Sequence, residues 1–289
     1  MDTYPVYIQS LASIHPQETA VDGRMSACEP DYKEWIKDAG QRRRMSRIVK
    51  MGVAAALQCL RNIPVKPHAI LTATGLGCLG DTEKFLQSMG AQNEELLSPT
   101  PFIQSTFNTI GGQIALLSGN KAYNNTYVHR AFSFESALLD GVMQIQSGDA
   151  ESVLVGAVDE LTPTVYTILQ RMGAWRHFPA GEGASFFLLG NKKTPQTIAR
   201  LVAIDMQGGS FSPGQLKQHH SHFLQSNGVP DALIVSQEIY KPLCGEYPTA
   251  SSFGLWHACT QRKGDRYVLV TNSRLNNHTA VLIEKTKQP

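Results

Sequence analysis

The alternation of short apolar runs with longer helix-like segments is the feature that most restricts how this chain can fold. The short runs are rich in β-branched and other apolar residues, as buried strands are, and the longer segments have the spacing of amphipathic helices. The pattern continues almost from one end of the 289 residues to the other. It predicts an α/β fold in which helices cover the sheets.

Glycine, proline and capping residues mark where the predicted elements begin and end. In the first half, strands are predicted at residues 4–10, 68–74, 126–130 and 151–158, and helices at 41–61, 81–89, 110–117 and 133–146. In the second half, strands are predicted at 184–189, 200–206, 232–236, 266–271 and 279–284, and helices at 214–226 and 252–261. The two halves therefore have a similar content of strands and helices.

This similar content predicts a pseudo-duplicated chain that forms one compact unit. We divide it into an N-terminal half, residues 1–165, and a shorter C-terminal half, residues 166–289. The seam at residues 163–179 has no tract rich in Gly and Ser, so it is not expected to be a flexible linker. No repeat is visible between individual residues of the two halves.

The charge balance gives no drive toward nucleic acid. Lys and Arg number 26 against 24 Asp and Glu, a net charge of +2. The one dense basic run, at residues 42–44, is interpreted as a solvated helix start, with an acidic partner as the less favoured alternative. No stretch reaches the roughly 18 apolar residues of a membrane span. We expect neither nucleic acid nor a membrane as a partner.

The cysteines indicate a reducing compartment. They are odd in number and include no Cys-x-x-Cys pair, which argues against a disulfide framework and against a zinc site; they are Cys28, Cys59, Cys78, Cys244 and Cys259. The first residues lack the basic start and long apolar stretch of a signal peptide. The sequence therefore predicts a cytoplasmic protein without a bound metal or cofactor.

Six short landmarks follow one another in a fixed order. They are RRRMSR at 42–47, PF at 101–102 with GGQIA at 111–115, NNT at 124–126, SGDA at 147–150, GAVDE at 156–160 and GEGA at 181–184. Together they resemble the β-ketoacyl synthases of fatty-acid and type II polyketide assembly, over most of the chain. The resemblance implies a thiolase-like fold, in which two pseudo-duplicated α/β halves are layered as αβαβα.

The resemblance also implies where a nucleophilic Cys should stand, at the start of a helix whose dipole and N–H groups favour a thiolate. When residues 126–130 are matched to the strand before it, Ala131 takes that position. A methyl group cannot attack a thioester. Ser133, two residues later, lacks the surroundings of a nucleophile elbow and is predicted to be a helix N-cap.

The two histidines of the family are replaced as well. Matching residues 231–235 to the strand before it places Ser236 at the first position, and matching the turn at 249–254 places Ser251 at the second. The family lysine before that turn is missing, and Glu246 and Tyr247 occupy the region. Ala131, Ser236 and Ser251 are therefore expected to be unable to perform the condensation, which depends on acid–base groups and a nucleophile.

Two further regions depart from the family. The segment between Ser236 and Ser251 is shorter than in a full condensing enzyme. The run NSRLNNH at 272–278 stands where the family has a gating loop of aromatics and glycines, and it has kept neither. Asn tolerates positive φ, so the turn itself is expected to persist.

Other candidate sites have simpler interpretations. The spacing of Gly75, Gly77 and Gly80 fits a dinucleotide fingerprint, but no acidic residue follows where that motif needs one. The histidines at 219, 220 and 222 fit a solvated helix face better than a metal site. Cys78 and Cys259 are expected to be buried small apolar residues. His129 is a candidate stray base, although a packed or interface histidine is favoured.

The resemblance favours a non-catalytic partner subunit. Type II polyketide systems pair an active ketosynthase with an inactive homologue called a chain-length factor, and in this family the strand before the nucleophile pairs with its two-fold mate. Thr126, Tyr127, Val128 and His129 are the predicted dimer strand, with an active ketosynthase or a second copy as its mate. Acyl carrier protein is a further implied partner. The alternatives are an acyl-thioester enzyme of altered chemistry, an acyltransferase or hydrolase, and an acyl-binding scaffold.

Overall fold

The computed structural model describes residues 4–64, 66–261 and 266–286 of the chain. Within them, the strands are β1 Val6–Ile14, β2 Ala69–Ala73, β3 Tyr123–Tyr127, β4 Ser152–Asp159, β5 Gly183–Gly190, β6 Ala199–Gly208, β7 Leu233–Val235, β8 Tyr267–Arg274 and β9 Asn277–Lys285. The helices are α1 Tyr32–Trp35, α2 Ala39–Arg44, α3 Arg47–Cys59, α4 Leu79–Ala91, α5 Pro99–Ser105, α6 Thr109–Ser118, α7 Ser133–Ser147, α8 Pro163–Arg171, α9 Pro213–Ser226, α10 Gln237–Cys244 and α11 Ala250–Thr260. The predicted α/β class is confirmed.

The strand order shows that the chain repeats one topology. Hydrogen-bonded side by side, the strands lie in the sheet in the order β3-β2-β4-β5-β1-β6-β9-β8-β7. In the first half, β1 and β5 are antiparallel, β5 and β4 are antiparallel, and β4 and β2 are parallel. In the second half, β6, β9, β8 and β7 repeat these three relations in the same order. The parallel pair of β2 and β3 has no counterpart beyond β7 among the described residues.

The position of β5 corrects one detail of the sequence analysis. The strand predicted at 184–189 was expected in the second half, but β5 lies between β4 and β1 in the first half. The division proposed at 165/166 falls within α8. We propose instead that the two halves join between β5 and β6, because the topology starts to repeat at β6.

Three apolar clusters show how the layers are stacked. The first cluster contains one face of both half-sheets, Val153 and Val268 among it, together with α7 and α11. The second lies on the other face of the first half-sheet, under α3 and α6. The third lies on the other face of the second half-sheet, where Leu224 of α9 meets Leu269 and Leu282. Helices, sheet, helices, sheet and helix thus follow one another as αβαβα.

Adjacent residues of β2 illustrate why the strands are buried on both faces. Ile70 packs in the cluster under α3, whereas Ala69 and Leu71 pack in the central cluster with α7. Side chains of a strand alternate between the two faces, so a strand that lies between two helical layers needs apolar residues at every position. This explains the continuous apolar runs in the sequence.

Several predicted boundaries changed. The helix predicted at 41–61 is two helices, α2 and α3, which are separated by Met45 and Ser46 in extended conformations. The strand predicted at 4–10 extends to Ile14, because β1 continues its pairing with β5. Local pattern missed α1, α5, α8 and α10. No helix within the described ranges has the length and apolar character needed to cross a membrane.

We predict that Gly156→Ala will lower the free energy of unfolding by about 1–3 kcal/mol, as overpacking of a core does. A Cβ atom at Gly156 would lie 2.0 Å from Cδ1 of Phe186, the residue opposite it on β5. Urea denaturation of the purified protein measures the change.

Gly214→Ala is the matched control, because a Cβ atom there meets nothing within 4 Å. In α9 this substitution should be neutral or stabilise by up to about 1 kcal/mol. Equal effects of the two substitutions would show that the space above Gly156 does not limit packing.

Candidate functional site

The position matched to the family nucleophile lies in the turn between β3 and α7. β3 ends at Tyr127, and a 3₁₀ turn, Arg130–Phe132, leads into α7 at Ser133. Ala131 is buried in this turn. Arg130 has a φ of +54°, in a region that few side chains adopt, so the sharp turn costs backbone strain. The chain keeps the strand-turn-helix geometry but presents a methyl group there.

Ser133 closes the turn before α7. Contrary to the prediction, its side chain does not cap the helix. Its Oγ accepts a hydrogen bond from the N–H of His129 at 2.9 Å and donates one to the carbonyl of Arg130 at 3.2 Å. Phe132 occupies the N-cap position. The N-cap prediction for Ser133 was therefore wrong. Because its hydroxyl bonds backbone groups on both sides of the strained Arg130, the serine closes the turn.

Ser236 and Ser251, matched to the two lost histidines, have different surroundings. Ser236 is the N-cap of α10, without a side-chain capping bond. Ser251 is buried in the first turn of α11. Its Oγ has no hydrogen-bond partner among the described residues. Among the described residues, no hydrogen bond joins either hydroxyl to an imidazole, the base that usually activates a serine nucleophile.

Glu135 of α7 occupies the interior next to these positions. Its side chain is 1% exposed, and its Oε1 accepts a hydrogen bond from Oγ1 of Thr279 at 2.9 Å. Burial raises the pKa of its carboxyl group, and the hydroxyl of Ser251 is close enough to oppose that rise in part. Glu135 Oε2, like Ser251 Oγ, has no aligned partner in the described part of the chain. The carboxyl group thus lies between α7, α11 and β9.

Lys241 of α10 supplies a buried ammonium group that the sequence analysis missed. The residue is 2% exposed, and its Nζ lies 2.9 Å from Oε1 of Gln237 and 2.7 Å from Oε2 of Glu246. Burial is the main cause that lowers its pKa to about 7. Arg274 of β8 also pairs with Glu246. Lys241 thus reaches Glu246, which lies in the region where the resemblance implied a lysine.

Asp159, the last residue of β4 and part of the fifth landmark, connects β4 with the end of β2 and the start of α11. Its Oδ1 accepts from the N–H of Gly75 at 2.8 Å and from Oγ1 of Thr74 at 3.0 Å. Its Oδ2 accepts from the N–H and the hydroxyl of Thr249 at 3.0 and 2.8 Å. Burial raises the pKa of Asp159, and these bonds oppose the rise. The first turn of α11, with Ser251, is thereby fixed to the first half-sheet.

The glycine-rich loop after β2 binds protein carboxylates. The N–H of Gly75 donates to Asp159, and that of Gly80 donates to Oε1 of Glu160 at 2.8 Å. A Cβ atom at Gly75 would lie 2.0 Å from Cβ of Pro248, and one at Gly77 would lie 2.5 Å from the ring of Phe107. Close packing against these residues accounts for the glycines that also fit a dinucleotide fingerprint.

Two more landmarks meet each other. Glu182 belongs to the landmark GEGA, and Arg47 to the landmark RRRMSR. The carboxylate of Glu182 accepts two hydrogen bonds, at 2.5–2.6 Å, from the guanidinium group of Arg47. It also accepts from the N–H groups of Ala27 and Leu161 at 3.0 Å. An open cleft of about 560 Å³ lies beside this ion pair and is lined by Arg24 and Thr162 as well.

The predicted dimer strand, residues 126–129, overlaps β3 at the edge of the sheet. β3 begins three residues earlier than the predicted strand and ends two residues earlier. β3 covers Tyr123–Tyr127, so Thr126 and Tyr127 belong to it, whereas Val128 and His129 follow it. Its one strand neighbour among the described residues is β2. After the strand ends at Tyr127, the N–H of His129 donates a hydrogen bond to Oγ of Ser133.

The open edge of β3 carries main-chain groups and apolar side chains. The carbonyl of Tyr127 accepts from the N–H of Thr74, so in a parallel ladder Thr126 points its N–H away from β2. That N–H donates to Oδ1 of Asn125 at 2.9 Å. The exposed large apolar residues on β3, α6 and α7 are Tyr123, Leu116, Leu139 and Met143. We name these four residues and β3 the β3 edge.

The remaining candidates are structural. The histidines of α9 are not all free on a solvated face, because His219 Nε2 lies 2.7 Å from Oδ2 of Asp205 on β6. Across the described ranges, no group of three or more His, Cys, Asp or Glu side chains is arranged to hold a metal ion. Burial raises the pKa of Cys259 to about 12 and that of Cys78 further. These thiols are weak nucleophiles at neutral pH.

Comparison with known proteins gives a family and a fold. The profile of the β-ketoacyl synthase N-terminal domain matches residues 27–236. No curated protein sequence matches the chain.

The solved structures that have this fold include the following three, all at low sequence identity. One is described as a type II polyketide synthase acyl-carrier protein in complex with its ketosynthase bound to the hexaketide (14% identity, 98% of this chain and 100% of that chain, TM-score 0.81). Another is the ishigamide ketosynthase/chain length factor (15%, 98% and 100%, TM-score 0.80). A third is a ketosynthase in complex with its chain length factor from Xenorhabdus doucetiae (15%, 97% and 99%, TM-score 0.60).

We predict that Glu135→Gln will make the protein more stable than the wild type at pH 8, and that this advantage will shrink as the pH falls toward 4.5. The raised pKa means that the folded state holds a proton on Glu135 above its ordinary pKa of about 4.5, where the unfolded chain has lost it. Folding of the wild type is therefore penalised as the pH rises. Denaturation curves across this pH range measure the difference.

Glu151→Gln is the control, because Glu151 is exposed. Its effect on the free energy of unfolding should be small across the range. A Glu135→Gln variant whose stability relative to the wild type does not change with pH would contradict the buried, protonated state.

Proposed function

Since this chain belongs to the β-ketoacyl synthase family, we propose that it is a catalytically inactive subunit that pairs with an active ketosynthase, as a chain-length factor does. The process we propose is fatty-acid or type II polyketide biosynthesis, of the polyene type, in the cytoplasm. The observation that carries the proposal is the site itself. Ala131 stands buried where the nucleophile should be, in a turn that is otherwise retained.

The groups around Ala131 also argue against condensation. Ser236 and Ser251 cannot take over the acid–base role of imidazoles, because a serine hydroxyl does not titrate near neutral pH. The interior that remains is filled by the carboxyl group of Glu135 and the ammonium group of Lys241. Each of these is tied to neighbouring side chains, which favours a structural role for the former site.

The β3 edge supports pairing with another subunit. An edge strand with exposed main-chain groups is a template for addition of a second strand. The apolar side chains beside it would lose their contact with water in the complex. Two of the structures with this fold are ketosynthases with a chain length factor, and one contains an acyl-carrier protein. We therefore propose an active ketosynthase as the mate of β3 and acyl carrier protein as a second partner.

We expect the ketosynthase encoded beside this chain to form a 1:1 complex with it, and the double variant Tyr123→Glu/Met143→Glu to weaken that complex at least about tenfold, or about 1.4 kcal/mol. Two carboxylates on the β3 edge would have to lose their hydration in the interface. Size-exclusion chromatography with light scattering identifies the complex, and calorimetric titration gives the dissociation constant.

Met172→Glu is the matched control, because Met172 is 73% exposed at the end of α8, outside the β3 edge. It should leave the affinity unchanged. A ketosynthase that fails to bind the wild-type chain, or that binds both variants equally, would contradict pairing through the β3 edge.

We further expect Ala131→Cys to leave turnover of the complex unchanged. The positions matched to the two family histidines carry Ser236 and Ser251, so the buried thiol would have neither family base to accept its proton and would remain a poor nucleophile. Assays with acyl and malonyl thioesters, with and without the ketosynthase, measure this. Hydrolysis or transfer of an acyl thioester by the chain alone, lost in Ser251→Ala, would favour the altered enzyme instead.

A further inference from the structure

The helix on the outer face of the second half-sheet, α9, is held by far fewer buried side chains than its counterpart. α9 connects β6 to β7 as α3 connects β1 to β2 in the repeated topology. Nine of the 13 residues of α3 are buried, whereas in α9 Leu224 alone is buried. Phe223 adds a partly buried contact. An element with so few buried apolar contacts lies at the low-stability end of a structure.

Two histidines of α9 lie side by side where the helix meets the sheet. Nε2 of His219 lies 2.7 Å from Oδ2 of Asp205 on β6. The half-buried ring of His220 lies 6.2 Å from that of His219, centre to centre. Burial lowers the pKa of His220, and so do the charges that His219 and His278 carry when protonated, whereas the carboxylate of Asp205 opposes the change. The attached helix thus resists protonation at His220.

His278 of β9 adds a third imidazole on the side of the sheet. It is 9% exposed, and its Nδ1 lies 2.8 Å from Oγ of Ser273 while its Nε2 lies 3.1 Å from the carbonyl oxygen of Gly209. Both ring nitrogens are bonded, so the ring is held in place. We name His219, His220 and His278 the histidine cluster. Among the described residues, the titratable groups that face His220 are the other two members of this cluster and Asp205.

We propose that α9 is an acid-released helix, which leaves the second half-sheet when the histidine cluster takes up protons, while the strands beneath it remain folded. In the protonated cluster, three imidazolium groups face a single carboxylate, so like charges repel each other across the contact between helix and sheet. The contacts that oppose release are the apolar ones of Leu224 and Phe223 and the pair of His219 with Asp205. This conformational change does not depend on the proposed function.

The direction of the pH dependence follows from the two states of His220. On the released helix, in water, its imidazole takes up a proton at the ordinary pKa of about 6.5, whereas the attached state has a lowered pKa. The state that binds protons more readily is favoured as the pH falls. Attachment is therefore at full strength above about pH 6.5 and weakens below it. A released helix of 14 residues is marginally stable in water, so its amides exchange with solvent.

Hydrogen exchange of the full chain at about pH 7.5 and about pH 5.5 tests the proposal, with rates corrected for the pH dependence of the exchange chemistry itself. We expect the protection of the amides at 217–226 to fall about three- to tenfold at the lower pH, since one unit of pKa difference corresponds to a factor of ten. Amides of β8 and β9, at 268–271 and 280–283, should keep their protection. This contrast separates release of the helix from global unfolding.

Three substitutions assign the effect to the histidine cluster. His220→Gln should remove most of the fall, because an amide does not titrate. Asp205→Asn should deepen the fall, because the carboxylate that offsets the charge of the cluster is lost. His222→Gln is the matched control, because His222 lies on the same helix and is exposed. This variant should behave like the wild type.

Thermal unfolding at neutral pH verifies that each variant is folded. An α9 whose corrected protection is the same at both pH values in the wild type would overturn the proposal. Equal behaviour of His220→Gln and His222→Gln would also contradict it, since the effect would then not come from the cluster. A loss of protection in β8 and β9 equal to that in α9 would show global unfolding instead of release.

Discussion

The carboxylate of Asp159 is the interaction on which the arrangement of the two halves depends. It accepts four hydrogen bonds, from Thr74 and Gly75 after β2 and from Thr249 before α11. A buried charge is costly unless its lone pairs are satisfied, so these donors must remain where they are. The central helical layer and the first half-sheet are thereby fixed to each other at the end where the family places its chemistry.

The turn around Ala131 keeps its strand-turn-helix architecture although a methyl group stands at the position matched to the nucleophile. The strained turn at Arg130 persists because Ser133 bonds both sides of it and Ala131 is packed inside. In the interior, the carboxyl group of Glu135 is hydrogen-bonded by Thr279, and Lys241 pairs with Glu246. Buried polar groups of this kind hold the interior in one packing arrangement, and they do so only as long as their hydrogen-bond and ion-pair partners are present.

The two halves of the sheet end in different kinds of edge strand. The first half ends in β3, a polar edge strand flanked by apolar side chains, and the second ends in β7, an apolar edge strand followed by a helix with its aliphatic residues outside. In the first half the strand beyond β2 leads into α7. In the second half the chain passes from β7 through α10 to α11, so α10 stands in the connection where a strand would be expected.

The α/β class and most strand positions follow from the sequence alone, because they depend on local periodicity. The layered fold followed from the resemblance of short ordered motifs to a known family. The helix α10, the extent of β1 and the membership of β5 were decided by tertiary structure, since each depends on pairing with a distant strand or packing on a distant helix. Lys241 illustrates the limit. In sequence it is one lysine among many, and only the folded chain brings it to Glu246 and buries it, because burial and ion pairing are set by residues far away along the chain.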